Sequence, residues 1–153
     1  MTSNTALEVR PLQDSDRDDW KALWTAYLDF YGTSVPSDFL VHIFDRLLGA
    51  DPQNFNGLVA VIDGELVGLT HYLYHRHGWE VENVCYLQDL YADPSVRGMG
   101  VGRALIEAVY AAADANGTPS VYWLTQEENT EARKLYNRVA QVIDFIKYGR
   151  VAA

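Results

Sequence analysis

The sequence predicts a mixed α/β (α+β) domain whose elements run β-α-α-β-β-β-α-β-α-β, and three observations carry that prediction. Alternating apolar runs at 58–62 and 66–69 flank the pair Asp63-Gly64, the signature of a two-residue hairpin. A further apolar run ends at Asp93-Pro94 and passes through the glycine-rich stretch 97–103 into a pattern of helical period. A second strand-then-helix unit follows over 121–139. Hairpins followed by strand–helix–strand units imply one sheet with both parallel and antiparallel pairs and helices on both faces.

Each element has its own signals. Residues 6–12 alternate and read as the first strand. Asp14-Ser15-Asp16 supplies helix caps and a negative first turn. Trp20, Leu23, Trp24, Tyr27, Leu28 and Tyr31 then recur at helical spacing until Gly32. Pro36 opens a second helix, with Phe39, Ile43, Phe44 and Leu47 on one face and an end near Gly49. Asp51-Pro52-Gln53-Asn54 is a turn. The second hairpin strand runs to about Tyr74, and 75–78 is its end and a loop. Residues 84–91 form the next strand. Val101, Leu105, Val109 and Ala112 line the stripe of the helix after the glycines, which stops at the left-handed cap Asn116-Gly117 with Pro119 beyond. Residues 121–125 are a strand. Ala132, Leu135, Tyr136 and Val139 mark a helix with Asn129 at its N-cap, and 143–148 close with a strand.

Composition narrows the functions available. The 153 residues read as one domain over 1–153, and a hydrophobic fraction of 48% is that of a chain with a packed core. No apolar run approaches the roughly 20 residues of a membrane span. Met1-Thr2-Ser3-Asn4-Thr5 lacks the basic-then-apolar form of a signal peptide. A single cysteine, Cys85, forms no internal disulfide, and a cytoplasmic location is the simplest reading. Cys85 lies in an apolar strand and reads as a small core residue rather than a nucleophile. The net charge of −9 repels nucleic acid and favours cationic partners such as amines, polyamines or lysine-rich peptides.

The chemistry concentrates at Arg97-Gly98-Met99-Gly100-Val101-Gly102-Arg103. Glycines at 98, 100 and 102 clear side chains from a backbone that enters a helix. The free N–H groups and positive dipole end of such a helix suit a phosphate or pyrophosphate. No Gly-Lys-Ser/Thr follows, so this is not a P-loop, and the Gly-x-Gly-x-Gly spacing is a poor dinucleotide fingerprint.

Residues 86–94 with 97–105 resemble the acetyl-coenzyme A motif of the GNAT superfamily of N-acetyltransferases, Arg/Gln-x-x-Gly-x-Gly/Ala, filled by Arg97, Gly100 and Gly102. Downstream, 121–129 and 132–136 resemble that superfamily's next strand, its Asn and its Asn-x6-Tyr helix. The wording of both halves is most similar to the histone and polyamine acetyltransferase subgroup. The resemblance covers 84–149 and implies the acyl-coenzyme A N-acyltransferase fold, in which two neighbouring parallel strands splay and the thioester sits in the gap. It implies acetyl-coenzyme A as co-substrate and no metal. It places pyrophosphate contacts on the backbone of Gly98, Met99, Gly100, Val101, Gly102 and Arg103, with Arg97 beside them. It places pantetheine contacts on Leu90, Tyr91, Ala92 and Asn129. Asn129 also reads as a simple helix cap, and both roles are compatible. Tyr136 is the implied acid for the departing thiolate; by pattern alone it reads first as an amphipathic core tyrosine, beside apolar Leu135 and Val139.

The base is less determined. Polyamine acetyltransferases carry Glu-Asp on the strand before the loop, where this chain has Gln88-Asp89, and a Gln takes no proton. Strand alternation sends these two residues to opposite faces. Asp89 remains to bind a substrate ammonium or to act through water; Glu80 and Glu82 are weaker candidates, and bulk water is another. His71, His75 and His77 share strand parity, yet rings spread over roughly 13 and 7 Å at about 3.3 Å per residue make no metal site without added ligands. They read as surface or substrate-side histidines. The expected activity is transfer of acetyl to a primary amine, either a polyamine-like small amine or a basic peptide lysine, with a homodimer expected from the relatives. The alternatives are a non-catalytic acyl-coenzyme A-binding sensor and an antibiotic- or amino-acid-directed acetyltransferase.

Overall fold

A computed structural model describes residues 6–151 of the chain. The reading of residues 1–5 as carrying no leader pattern lies outside that range. The strands are β1 (Leu7–Pro11), β2 (Asn56–Ile62), β3 (Glu65–His75), β4 (Val84–Ala92) and β5 (Val121–Tyr122). The α-helices are α1 (Arg17–Phe30), α2 (Ser37–Leu48), α3 (Val101–Ala115) and α4 (Thr130–Val139). The strands form one sheet in the order β1-β2-β3-β4-β5. Its first three pairings are antiparallel and the β4–β5 pairing is parallel. The mixed α/β class is thus as the sequence predicts.

Apolar spacing in the helices builds two cores. On one face α1 and α2 bury Trp20, Leu23, Trp24, Leu40, Phe44 and Leu47 against Val59, Val61 and Leu69 of the sheet. On the other, α3 packs Ile106, Val109 and Ala113 on Tyr72, Cys85 and Leu87, and Val101 and Leu105 on Ala60, Ile62 and Val67. The predicted α2 face is shifted by one position, because Leu40 is buried and Phe39 is exposed. The β2–β3 hairpin turns on Asp63 and Gly64, both with positive φ, as a type I′ turn requires. Gly68 on β3 is the contact point with α3: a Cβ there would stand 2.8 Å from a Val101 methyl.

Two irregularities shape the site. First, β3 and β4 slip by one residue: His71 pairs with Asp89 but Tyr72 pairs with Leu87, which leaves Gln88 as a bulge. A bulge resets strand alternation. Leu87 therefore points into the α3 core, while Gln88 and Asp89 line one cavity on the α1 side. The expectation that Gln88 and Asp89 face opposite ways is overturned by that extra residue. Second, β4 and β5 pair only at Cys85–Val121 and Tyr86–Tyr122, so the rest of β4 up to Ala92 runs on beside an opening gap. This is the expected splay.

Two strands fall short of expectation. The strand read over 121–125 stops at Tyr122 because β4 diverges there. The closing strand read over 143–148 does not form, and residues 141–151 hold neither helix nor strand. Alternation supplies a face but no ladder, and the two-residue β5 offers almost no edge on which to build one.

Candidate active site

A cleft of about 560 Å³ runs from β4 across the start of α3 to α4. Gly98 and Gly100 both have φ of +80° with open space where a Cβ would project. The left-handed backbone needs glycine there, and the turn aims the first amides of α3 into the opening. Gly102 serves differently, for a Cβ at this position would meet a Leu135 methyl at 3.2 Å, so its absence lets α4 close against α3.

Of the residues the sequence assigned to the co-substrate, Leu90, Tyr91, Ala92, Arg97, Gly98, Gly100, Val101, Gly102, Arg103, Asn129 and Tyr136 line this cleft. Met99 does not. Its side chain is about half exposed, and its N–H donates to the Val96 carbonyl at 3.2 Å, which withdraws it from an anion. Asn129 stands at the α4 N-cap but makes no side-chain cap bond; its amide lies 3.5 Å from the Thr125 hydroxyl. Lys134 and Arg138 also line the cleft. Sequence reasoning missed both, although their i, i+4 spacing puts them on one helix face. Helix amides, Arg97, Arg103, Lys134 and Arg138 thus share one cleft in an otherwise acidic protein, Lys134 paired there with Glu131 at 2.9 Å, and the excess of donors fits a pyrophosphate and the adjoining phosphate.

On the α1 side of the sheet lies a smaller cavity of about 240 Å³, walled by Trp24, Tyr27, Leu28, Ile43, Phe55, His71, Gln88 and Asp89. Tyr27 lines both cavities. The Tyr27 hydroxyl donates to Asp89 Oδ1 at 2.9 Å, and Asp89 Oδ2 lies 3.1 Å from His71 Nδ1. His71 Nε2 in turn lies 3.1 Å from the indole nitrogen of Trp20. At the bulge, the Asp89 carbonyl accepts from the buried Thr70 hydroxyl at 2.8 Å. Burial, and then the Asp89 carboxylate, push the Tyr27 phenol far above the usual tyrosine range.

The histidines do not share a role. His71 is 1% exposed and so is no surface histidine: its ring belongs to the interior face of β3, under α1, in the wall of the smaller cavity. His75 contacts the Tyr122 hydroxyl at 2.8 Å, and His77 accepts from the Trp79 N–H at 3.1 Å. Among the described residues no three metal-ligating side chains gather. Glu80 and Glu82 are exposed in the β3–β4 loop and line neither cavity. Sequence reasoning also missed Tyr27 and Trp20 as site residues, because their helical spacing is that of any core aromatic.

Tyr136 reaches the cleft from α4, edge-on to Trp123 at 5.4 Å between ring centres. Burial, with Tyr31 nearby, pushes its phenol up to about 12. Cys85 is buried in the α3 core, lines neither cavity, and has its thiol pushed up to about 11 by burial. It is a packing residue in this structure.

A splayed parallel pair, a glycine-rich anion turn on the following helix and a cavity beside the gap define an acyl-thioester-dependent transferase. The chain belongs to the acetyltransferase (GNAT) family, whose model matches residues 20–140. It is 37% identical over 148 residues to the D-amino-acid N-acetyltransferase HPA3 of Saccharomyces cerevisiae, covering 96% of this chain and 92% of that one. It is 25% identical over 134 residues to the N-acetyltransferase YhfO of Bacillus subtilis, covering 86% and 87%. Among solved structures it is similar to the aminoglycoside N-acetyltransferase AAC(6')-Iy in complex with CoA, with a TM-score of 0.85, 20% identity and coverage of 100% and 99%. The protein is an acetyl-coenzyme A-dependent N-acetyltransferase.

Proposed function

We propose that the whole chain acts as one catalytic domain that acetylates a small cationic amine, of polyamine or lysine-side-chain type. One observation carries this reading: Asp89 stands in the wall of the 240 Å³ aromatic cavity, and none of the lining residues is Lys or Arg. A carboxylate among Trp24, Tyr27 and Phe55 attracts an ammonium through charge and through ring faces. The volume suits a slender aliphatic amine rather than an extended polycyclic one.

In the proposed reaction Asp89 receives a proton from the incoming ammonium. The freed nitrogen forms its bond to the acetyl carbon as the carbon–sulfur bond breaks; the Tyr136 hydroxyl supplies the proton that the thiolate takes, and the second proton, shed by the nitrogen as the amide forms, passes through water to restore the phenol. The amides at 98 and 100–103, with Arg97, Lys134 and Arg138, hold the pyrophosphate end. The unpaired edge of β4 at Leu90, Tyr91 and Ala92, with Asn129, holds the pantetheine arm. An enzyme using this thioester and carrying one buried cysteine is proposed to work in the cytoplasm.

A second reading, an amino-acid acceptor, is favoured by the similarity to HPA3. Its carboxylate would need a cation that the smaller cavity's lining lacks. Initial rates with a diamine, a monoamine, a D-amino acid and a lysine peptide, following free thiol, discriminate the readings. The diamine or the peptide should give the highest kcat/KM; a preference for the D-amino acid would overturn the cationic-amine assignment.

We further propose that two copies pair through residues 141–151. Val142, Ile143, Phe145, Ile146, Tyr148 and Val151 are all exposed there. Trp79, Val81 and Leu124, also exposed, belong to the β3–β4 loop and the segment after β5. One chain thus carries an apolar, alternating arm and a second set of exposed apolar side chains, the two halves of an exchange with a second copy. The arm holds Lys147 and Arg150 against Asp144, whereas the chain as a whole carries −9.

A further inference from the structure

His71 has both ring nitrogens engaged inside the protein. The Trp20 indole N–H donates and accepts nothing, so at 3.1 Å the His71 Nε2 atom must be the acceptor. The ring's proton then sits on Nδ1, 3.1 Å from Asp89 Oδ2, and donates to it. This tautomer follows from the bonding network. A second proton on Nε2 would point at the indole N–H, donor against donor. Ring faces around the imidazole are aromatic: Trp24 lies 4.8 Å away between centres, and Phe55 stacks at 6.1 Å and 18°. The titratable groups near Asp89 are Tyr27 and Tyr31 from α1 and Tyr86 from β4, and the α2 side chain in the cavity wall is Ile43.

We propose that His71, with its tautomer held by Trp20, is a positioning residue that fixes the plane of the Asp89 carboxylate toward the amine cavity. The proposal rests on reading Asp89 as the group that receives the amine's proton. The carboxylate takes one bond from Tyr27 and one from His71, one on each oxygen. Its remaining lone pairs are left for the ammonium, and the bulge at Gln88 delivers the residue to this face. His71 itself does not accept the amine's proton, because doing so would break the Trp20 bond. Trp20 is thereby more than packing: its one polar atom decides which nitrogen of a residue 51 positions away carries the proton.

The test uses three substitutions and one kind of spectrum on the full chain. His71→Leu removes the donor, and kcat for the diamine should fall about 10- to 100-fold, the usual loss when the outer partner of a functional group is removed. His71→Asn keeps an N–H where Nδ1 stood and should recover most of that loss, with acetyl-coenzyme A affinity unchanged in both. Trp20→Phe keeps an aromatic ring and frees Nε2, so the side-chain ¹⁵N spectrum of that variant should lose the single tautomer and kcat should fall with it, with acetyl-coenzyme A affinity unchanged. Side-chain ¹⁵N NMR of the unsubstituted protein should give the neutral His71 ring as the Nδ1–H tautomer. An Nε2–H form, or His71→Asn no better than His71→Leu, overturns the proposal. Asp89→Asn run in parallel separates the two readings. Full activity in Asp89→Asn overturns the base assignment, and with it any reaction role for His71. A loss in Asp89→Asn with none in His71→Leu overturns the His71 proposal alone.

Discussion

Tyr136 bears the clearest chemical demand of any single residue. Burial keeps its phenol protonated up to about pH 12, so it holds a transferable proton throughout the neutral range. Tyr136→Phe keeps the ring on Trp123 and deletes only the hydroxyl. If the hydroxyl serves the thiolate, kcat should fall roughly 10²- to 10⁴-fold with cofactor affinity and melting temperature little changed. A core role alone would leave turnover within a few-fold and lower the melting temperature instead. The sign of the shift adds a check: any loss of rate between about pH 8 and 10 should persist in the variant, because the phenol has not begun to ionise there. Asp89 is tested by charge. Asp89→Asn should lower kcat for a diamine and a monoamine alike, because the group that takes the reacting ammonium's proton is gone, and unchanged turnover with either would remove Asp89 as the base. Tyr136 was legible in the sequence because it follows Asn129 by seven residues on one helix. Tyr27, Trp20 and His71 were not. They meet from α1 and β3, and apolar spacing gives the same pattern whether a ring merely packs or also donates a hydrogen bond.

At the level of elements, the glycine turn was readable and the bulge was not. Positive φ at Gly98 and Gly100 is a local demand with a one-letter signature. Gly100→Ala meets no atom within 4 Å, so its effect should be conformational, about 1–2 kcal/mol for a left-handed residue with a Cβ, read as a lower melting temperature. Gly100→Glu adds a negative charge where the pyrophosphate is proposed to sit. Calorimetry should record a large loss of acetyl-coenzyme A affinity with far-ultraviolet circular dichroism unchanged; retained affinity would remove the turn from the site. The bulge depends on how two strands register, which no single run of residues encodes. Strict alternation would send Asp89 the way of Leu87, into the α3 core. Deleting Gln88 leaves Leu87 opposite Tyr72 and Asp89 opposite His71 in plain alternation, so the shortened strand should fold with the carboxylate still on the α1 side and lose only what the Gln88 side chain gives the cavity wall, as Gln88→Ala should.

Across the molecule, order and class of the elements were legible because each carries its own periodicity and caps. The last strand was misread because alternation over 143–148 states which side chains share a face and says nothing of what pairs with them. Removing everything after Ala140 tests what the arm is for. Light scattering of the full chain should give about twice 17.2 kDa, and the shortened chain should be a monomer that still binds acetyl-coenzyme A. A monomeric full chain at micromolar concentration would dismiss the pairing.

Tyr27 is a wall common to two chambers, and this bears on the order of events in turnover. Neither lining holds a cysteine, serine or threonine, and Cys85 is sealed in the opposite core with its thiol held up at about 11. No thiol or aliphatic hydroxyl is thus at hand in either lining to carry the acetyl group while one product departs and the next reactant arrives, and direct transfer is the expected route. Both reactants must be resident together, and double-reciprocal plots should intersect rather than run parallel. With a single phenol touching both chambers, whichever reactant binds first sets the ring against which the other docks, so the affinity of each should depend on the presence of its companion.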